Sequence, residues 1–194
     1  MGWFNEAYRG TPPWDIGHPQ GEIARLAQSG EIQGEVLDVG CGTGENSLFL
    51  AAKGHEVWGI DSAPLAIKKA RLKARDRHTN VQFILHDALD LPSIGRKFDA
   101  VIDSGFFHVL SDEEREVFVK GLAMVLRPGG TYFMLCFSDK EPDDGGPRRV
   151  SRGEILRTFG RGWRINYIRE TRFEASFNGH IPLAYIASIT RIQA

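Results

Sequence analysis

Cysteine is scarce in this chain. Only Cys41 and Cys136 occur, which excludes a disulfide scaffold, and neither sits at metal-ligand spacing. His18, His55, His78 and His180 do not cluster either, so no metal site is expected. No apolar run approaches the roughly 20 residues of a membrane span, and no membrane role is expected. The formal net charge of −1 speaks against a general nucleic-acid binder. The opening residues, Met1-Gly2-Trp3-Phe4-Asn5-Glu6, carry neither the basic nor the apolar region of a secretion signal. Glu6 stands where N-myristoylation asks for Ser or Thr. A cytoplasmic protein is expected.

What is present suffices for a core. With 42% hydrophobic content over 194 residues, the chain suits one domain, residues 1–194, and is short for two. Strand-like and helix-like segments alternate, which predicts an α/β fold with a mostly parallel sheet covered on both faces. The pattern predicts helix 19–29, strand 35–39, helix 44–53, strand 55–60, helix 63–77, and strands 81–85 and 98–103. Helix 111–126 opens with Ser111 and Glu114 at capping-box spacing and closes before Arg127-Pro128-Gly129-Gly130. Thr131 to Phe137 shows no alternation, as expected of a central strand buried on both faces. A helix at 151–159 and strands at 163–173 and 182–191 complete the reading. The loop between those last strands is too short for a parallel crossover, which predicts an antiparallel hairpin at the sheet edge.

The most informative stretch is Val36-Leu37-Asp38-Val39-Gly40-Cys41-Gly42-Thr43-Gly44. A strand runs into three alternate glycines, and a helical pattern follows. Strand, glycine turn, helix is how an α/β domain brings its backbone close to a nucleotide-like ligand. A side chain at the turn would restrict φ and hold that ligand away. Asp61 ends the next strand, where an open α/β sheet places a carboxylate on ribose hydroxyls; Ser62 follows it. A nicotinamide fingerprint wants G-x-G-x-x-G, but counting from Gly40 its last position is Glu45.

The G-x-G-x-G spacing with Asp38 two residues before Gly40 resembles motif I of the class I S-adenosylmethionine (SAM)-dependent methyltransferases. The resemblance implies a Rossmann-like seven-stranded sheet, order 3-2-1-4-5-7-6 with strand 7 antiparallel, and helices on both faces. It implies SAM as cofactor, held by Gly40, Cys41, Gly42 and Gly44 at the turn. Asp38 suits the cofactor's ammonium, by direct contact or by fixing the loop. His86-Asp87-Ala88-Leu89 resembles the motif whose Asp meets the adenine amino group, which makes Asp87 and Ala88 cofactor candidates. Pro12-Pro13-Trp14-Asp15-Ile16-Gly17 looks like the N-terminal cover of the thiopurine, thiol/halide and quinone/quinolone heterocycle methyltransferases. That likeness implies a cover over residues 1–20, with Trp14 against the cofactor and Tyr8 in the substrate pocket. Asp143-Asp144-Gly145-Gly146-Pro147, after the fifth strand, agrees with it in order and spacing.

Asp103-Ser104-Gly105-Phe106-Phe107-His108 closes the fourth strand, facing the place of methyl transfer. Asp103 is a cofactor candidate, Phe106 and Phe107 are pocket candidates, and His108 is the candidate general base, its unperturbed pKa being about 6.5. His108 reads as the one histidine at a strand end facing the pocket. Asn-Pro-Pro-Tyr is absent there, which weakens a base-methylase reading. The expected activity is methyl transfer from SAM to O, S or N of a small aromatic, heterocyclic or thiol-type molecule, by a monomer or homodimer without nucleic-acid or membrane partners. Two alternatives stand beside it. One is a protein or nucleic-acid methyltransferase docking through Arg148, Arg149, Arg152, Arg157, Arg161, Arg164, Arg169 and Arg172; the other is a SAM-binding regulatory protein without turnover.

Overall fold

Val36, Leu37 and Val39 lose all solvent exposure, a burial on both faces that an interior strand of a covered sheet provides. They belong to β1 (Glu35–Val39), in a computed structural model that describes residues 2–142, 145–176 and 180–192. Around it pair β2 (Glu56–Asp61), β3 (Gln82–Leu85), β4 (Phe98–Ser104), β5 (Leu126–Phe137), β6 (Trp163–Arg172) and β7 (Leu183–Arg191). The order is β3-β2-β1-β4-β5-β7-β6. Pairing is parallel from β3 to β5, and β7 runs antiparallel to both β5 and β6. This is the expected Rossmann-like sheet. The helices are α1 (Gly2–Ala7), α2 (Gly21–Gln28), α3 (Glu45–Ala52), α4 (Pro64–Asp76), α5 (Asp112–Val125) and α6 (Arg152–Thr158). None among the described residues is long and apolar enough to cross a membrane.

The period-2 rule of strands sorts the central residues between two cores. Leu37, Val39, Val101, Tyr132 and Met134 pack with Phe118 and Leu122 of α5. Their neighbours Val36, Ile102, Phe133 and Leu135 pack with Ile23 and Leu26 of α2 and Leu50 of α3. Both faces are apolar, which is why Thr131 to Phe137 reads as an unbroken run.

Three features differ from the expected elements. Arg127 to Gly130 is not a break after the helix but the opening of β5, whose pairing with β4 shifts register between Phe98 and Ala100. A bulge tolerates Pro128, which has no N–H to give the ladder. Helix α1 was not expected, being too short to show a period and having no buried residue. A 3₁₀ segment, Ala88–Ile94, follows β3, with the Asp87 side chain accepting from Leu89 N at its start. Asp143 and Asp144 of the Asp-Asp-Gly-Gly-Pro stretch lie outside the described residues.

Gly59 of β2 is required by close approach: a Cβ there would lie 2.7 Å from two ring carbons of Phe83. Gly59→Ala is expected to lower stability by about 1–3 kcal/mol, the usual cost of overpacking. Shortening the obstacle in Gly59→Ala/Phe83→Leu should return part of it. Urea denaturation of both variants checks this, and an unaffected single variant would contradict the packing described.

Candidate active site

Strand order reverses between β1 and β4, and in open α/β sheets the ligand crevice lies outside the strand ends at that point. A cavity of about 1140 Å³ opens there. That exceeds the usual pocket for one small molecule, about 300–1,000 Å³, and leaves room for two. The strand ends contribute Gly40, Asp61, Ser62, Asp87, Ala88 and Phe106, while Trp3, Phe4, Tyr8 and Trp14 come from the N-terminal segment. Cys41, Gly42 and Gly44 line a smaller recess beside it, which Tyr8 and Trp14 also border.

The glycine turn is held by backbone bonds. Gly40, Gly42 and Gly44 have φ of 65°, 55° and 86°, a region that L side chains rarely enter. Cys41 N donates to Ile60 O at 2.9 Å. Gly42 N donates to Asp61 Oδ2 at 2.9 Å, and Ala63 N donates to Asp61 Oδ1 at 2.8 Å. Asp61 therefore joins the turn to the start of α4 while its carboxylate stays on the cavity wall, and burial pushes its pKa up. The thiol of Cys41 is buried and also pushed up, first by desolvation and then by Asp38 and Asp61.

Two expected cofactor carboxylates lie elsewhere. Asp38 is buried, lines neither hollow, and accepts from Ser47 Oγ at 2.6 Å. Of its two expected roles, this geometry fits loop-fixing. Asp103 is fully buried and accepts from Phe106 N (2.7 Å), Phe107 N (2.9 Å) and Tyr132 Oη (2.6 Å). It is withdrawn from the cavity because turn N–H groups and a core hydroxyl take its oxygens. Phe107 is likewise not a pocket wall. It is fully buried, tilted against Phe159 and covered by the Arg115 guanidinium 4.4 Å from its ring.

Phe106 does line the cavity, together with Phe137, Phe173, Val109 and His108. His86 lines it too, so His108 is not the lone histidine there. His108 stacks edge-on to Phe137 at 4.7 Å, and its Nδ1 accepts the Phe137 N–H at 3.1 Å. The basic lone pair is thus already used. Burial, then the charges of Arg149 and Arg115, lower its pKa to about 3. These facts run against the general-base expectation.

Topology explains the residues the motifs did not flag. Because β7 opposes both neighbours, β6 runs parallel to β5, and Phe137 and Phe173 emerge at one rim. The strand-end rule applied to the last strands, rather than to motifs alone, would have found both. Gly146, Pro147 and Arg148 also reach the cavity. Much of the arginine-rich third is engaged within the molecule. Arg148 pairs with Asp112 and Glu154, Arg152 lies over Tyr185, and Arg169 lies over Tyr167.

A seven-stranded sheet of order β3-β2-β1-β4-β5-β7-β6 with β7 antiparallel, and a glycine turn and a carboxylate at its switch point, has the class I methyltransferase architecture. Comparison with known proteins gives the family. A family model described as a methyltransferase domain matches residues 36–130. The 2-heptyl-1-hydroxyquinolin-4(1H)-one methyltransferase of Mycobacteroides abscessus is 36% identical over 187 residues, covering 91% of this chain and 82% of the relative. A probable thiol methyltransferase of Arabidopsis thaliana is 30% identical over 155 residues, covering 79% and 69%. A solved structure concerned with converting a disulfide bond into a thioacetal group during echinomycin biosynthesis superposes with a TM-score of 0.90. It is 34% identical, over 98% of this chain and 92% of that one. The chain belongs to the SAM-dependent methyltransferases.

The buried carboxyls have a measurable signature. Desolvation chiefly pushes Asp38 up to about 7 and Asp103 up to about 6. A carboxyl whose folded pKa lies above its unfolded value favours folding most at low pH. That contribution is lost as pH rises from about 4 through the folded value. Asp38→Asn keeps the shape but has no charge to bury. Its stability relative to the wild type should therefore rise by at least about 1 kcal/mol between pH 4.5 and 7.5. Urea denaturation at the two pH values reads it, and a difference that does not change with pH would refute the assignment.

Proposed function

We propose that this methyltransferase is a single domain over residues 1–194 that methylates O, S or N of a small, flat, largely apolar acceptor, aromatic or heterocyclic. The observation that carries this reading is the cavity's two-part lining. Carboxylates and backbone lie toward β1 to β3, and Phe106, Val109, Phe137 and Phe173 lie toward β4 to β6. The hydroxyquinolone acceptor in the name of the Mycobacteroides relative supports the class.

The residues fit the cofactor. Gly40, Asp61, Ser62, Asp87 and Ala88 share one cavity wall, and Cys41, Gly42 and Gly44 line the recess beside it. A Cβ on Gly40 would meet Phe106 at 3.1 Å, and one on Gly42 would meet the Tyr8 hydroxyl at 2.8 Å, so the turn packs tightly against two residues of that wall. In this reading Gly40, Cys41, Gly42 and Gly44 hold the methionine end, Asp61 and Ser62 the ribose, and Asp87 and Ala88 the adenine edge. Asp38 and Asp103 support the loops from behind. Of the cover expected over residues 1–20, the described residues 2–20 include Trp14, which donates Nε1–H to Tyr8 Oη at 2.9 Å and in this reading closes over the site. SAM, when bound, supplies the methyl group as an electrophile on a sulfonium. The protein's work is alignment and exclusion of water. His108 is a neutral wall, not a base, and an acceptor that ionises unaided or attacks through a neutral lone pair needs none.

Turnover is tested by a screen over thiols, phenols and hydroxyquinolines, with S-adenosylhomocysteine as the readout. No product with any of them, despite SAM binding, would return the regulatory alternative. Asp61→Ala should weaken SAM binding about tenfold or more through lost charge-assisted bonds; calorimetry giving wild-type affinity removes Asp61 from the site. On an accepted substrate the acidic limb of the pH–rate profile should follow the acceptor's own pKa and persist in His108→Gln. Loss of that limb, with a rate fall on the order of 10²–10⁴, would reinstate His108 as the base.

A further inference from the structure

Asp15, the residue after Trp14, faces away from the role its neighbour was given. Pro12 to Asp15 forms a turn, with Asp15 N donating to Pro12 O at 2.9 Å. Trp14 reaches the cavity from this turn, and Asp15 reaches the glycine turn: Thr43 Oγ1 donates to Asp15 Oδ1 at 2.6 Å. Lys73 of α4 donates to Thr43 Oγ1 at 2.7 Å and lies 3.6 Å from the same Asp15 oxygen. An ammonium can only donate. Thr43 must therefore use a lone pair for Lys73 and spend its one hydrogen on Asp15, which fixes the direction of the relay. Lys73 also donates to Glu45 at 2.7 Å, and Arg77 grips Glu45 through both oxygens at 2.7 and 2.9 Å. The two carboxylates are balanced by two cations, and Asp15 and Glu45 are largely withdrawn from water. The Asp15 and Glu45 ends are shielded, while the half-exposed Arg77 end is open to solvent screening.

We propose that Asp15 is a positioning residue that latches the N-terminal cover to the glycine turn through Thr43, so that cover and cofactor loop move as one unit. This rests on the cover reading given above. The turn is also tied through Pro13 O, which accepts from Ser176 N at 2.8 Å, and the preceding residues through Lys69 Nζ donating to Gly10 O at 2.6 Å and Leu65 N donating to Asn5 Oδ1 at 3.0 Å. With the Thr43 side released, the turn loses its tie to the glycine loop, and Trp14, adjacent to Asp15, loses its fixed place beside the cavity. The fraction of molecules with the cover closed then falls, and apparent affinity falls with it, since the dissociation constant scales inversely with the competent fraction.

The test needs no identified acceptor. S-adenosylhomocysteine affinity is measured by calorimetry, and its dissociation rate by stopped flow, for Asp15→Ala, Asp15→Asn, Thr43→Val, the double variant Asp15→Ala/Thr43→Val, Trp14→Ala and Arg77→Gln. Asp15→Ala is expected to weaken binding about tenfold, mainly through faster release, the usual route by which affinity changes. Asp15→Asn, which keeps an acceptor oxygen, should lose about threefold, in line with neutral bonds being roughly half as strong. The double variant should be no worse than the poorer single variant, as for two ends of one bond. Arg77→Gln, which loosens only the far end of the network, should lower the urea midpoint while leaving affinity unchanged. Wild-type affinity and release in Asp15→Ala, with weakened binding in Trp14→Ala, would overturn the latch and leave the cover. So would additive losses in the double variant. Unchanged binding in Trp14→Ala would overturn the cover, and the latch with it. If Asp15→Ala does not fold, Asp15→Asn combined with Thr43→Val carries the same cycle.

Discussion

The bond from Gly42 N–H to the Asp61 carboxylate holds the geometry on which the rest of the site depends. One oxygen takes the N–H of the turn after β1, and the other takes the N–H of Ala63 at the head of α4. Neighbouring strand ends and a helix start are thereby fixed to one rigid group. A carboxylate has about four lone-pair sites, so two protein donors do not exhaust Asp61. In the proposed reading the remaining sites face the ribose, and the residue that shapes the loop also meets the ligand.

The same rim gathers negative charge. Asp38, Asp61 and Asp103 end or nearly end adjacent strands, and the Asp38 carboxyl is raised by desolvation and by both of the others. Each is hydrogen-bonded, to Ser47, to backbone N–H groups, or to Tyr132 and the 106–107 turn. Buried carboxyls without a cation among their bonded partners cost stability at neutral pH. In the proposed reading a bound cofactor that carries a positive charge would offset part of that cost at Asp61, the one of the three on the cavity wall.

Toward β4 to β6 the physical balance is reversed. Phe106, Phe137 and Phe173 replace carboxylates, and His108 is held neutral between aromatic rings by a backbone N–H. Such a wall favours flat apolar groups, and the nearest carboxylate on that side, Glu114, already accepts from Ser111 N in its capping box. Rate acceleration in the proposed mechanism comes from alignment in a site closed to water, so the hold of the N-terminal segment on the glycine turn matters more than any single acid or base.

Much was legible in the chain itself. Strand alternation predicted a mostly parallel α/β sheet, because hydrophobic periods are written residue by residue, and the glycine spacing with the carboxylates at 38 and 61 carried the resemblance that implied its strand order. The Ser111 and Glu114 capping box was read correctly for the same reason. Depth was not legible. Asp38, Asp103 and Phe107 sit in motifs beside the cavity, yet they turn into the core, since which side of a strand end faces solvent is set by what packs behind it. Phe137, Phe173 and the pairing of Asp15 with Thr43 join residues far apart in sequence, and only the crossing of the chain brings them together. The sequence by itself determined the sheet, the turn and the class of cofactor. The tertiary structure decided which charges are buried, which histidine nitrogen is taken up by a backbone N–H and what ties residues 12–15 to the glycine turn, because burial and long-range hydrogen bonds exist only once the layers have packed.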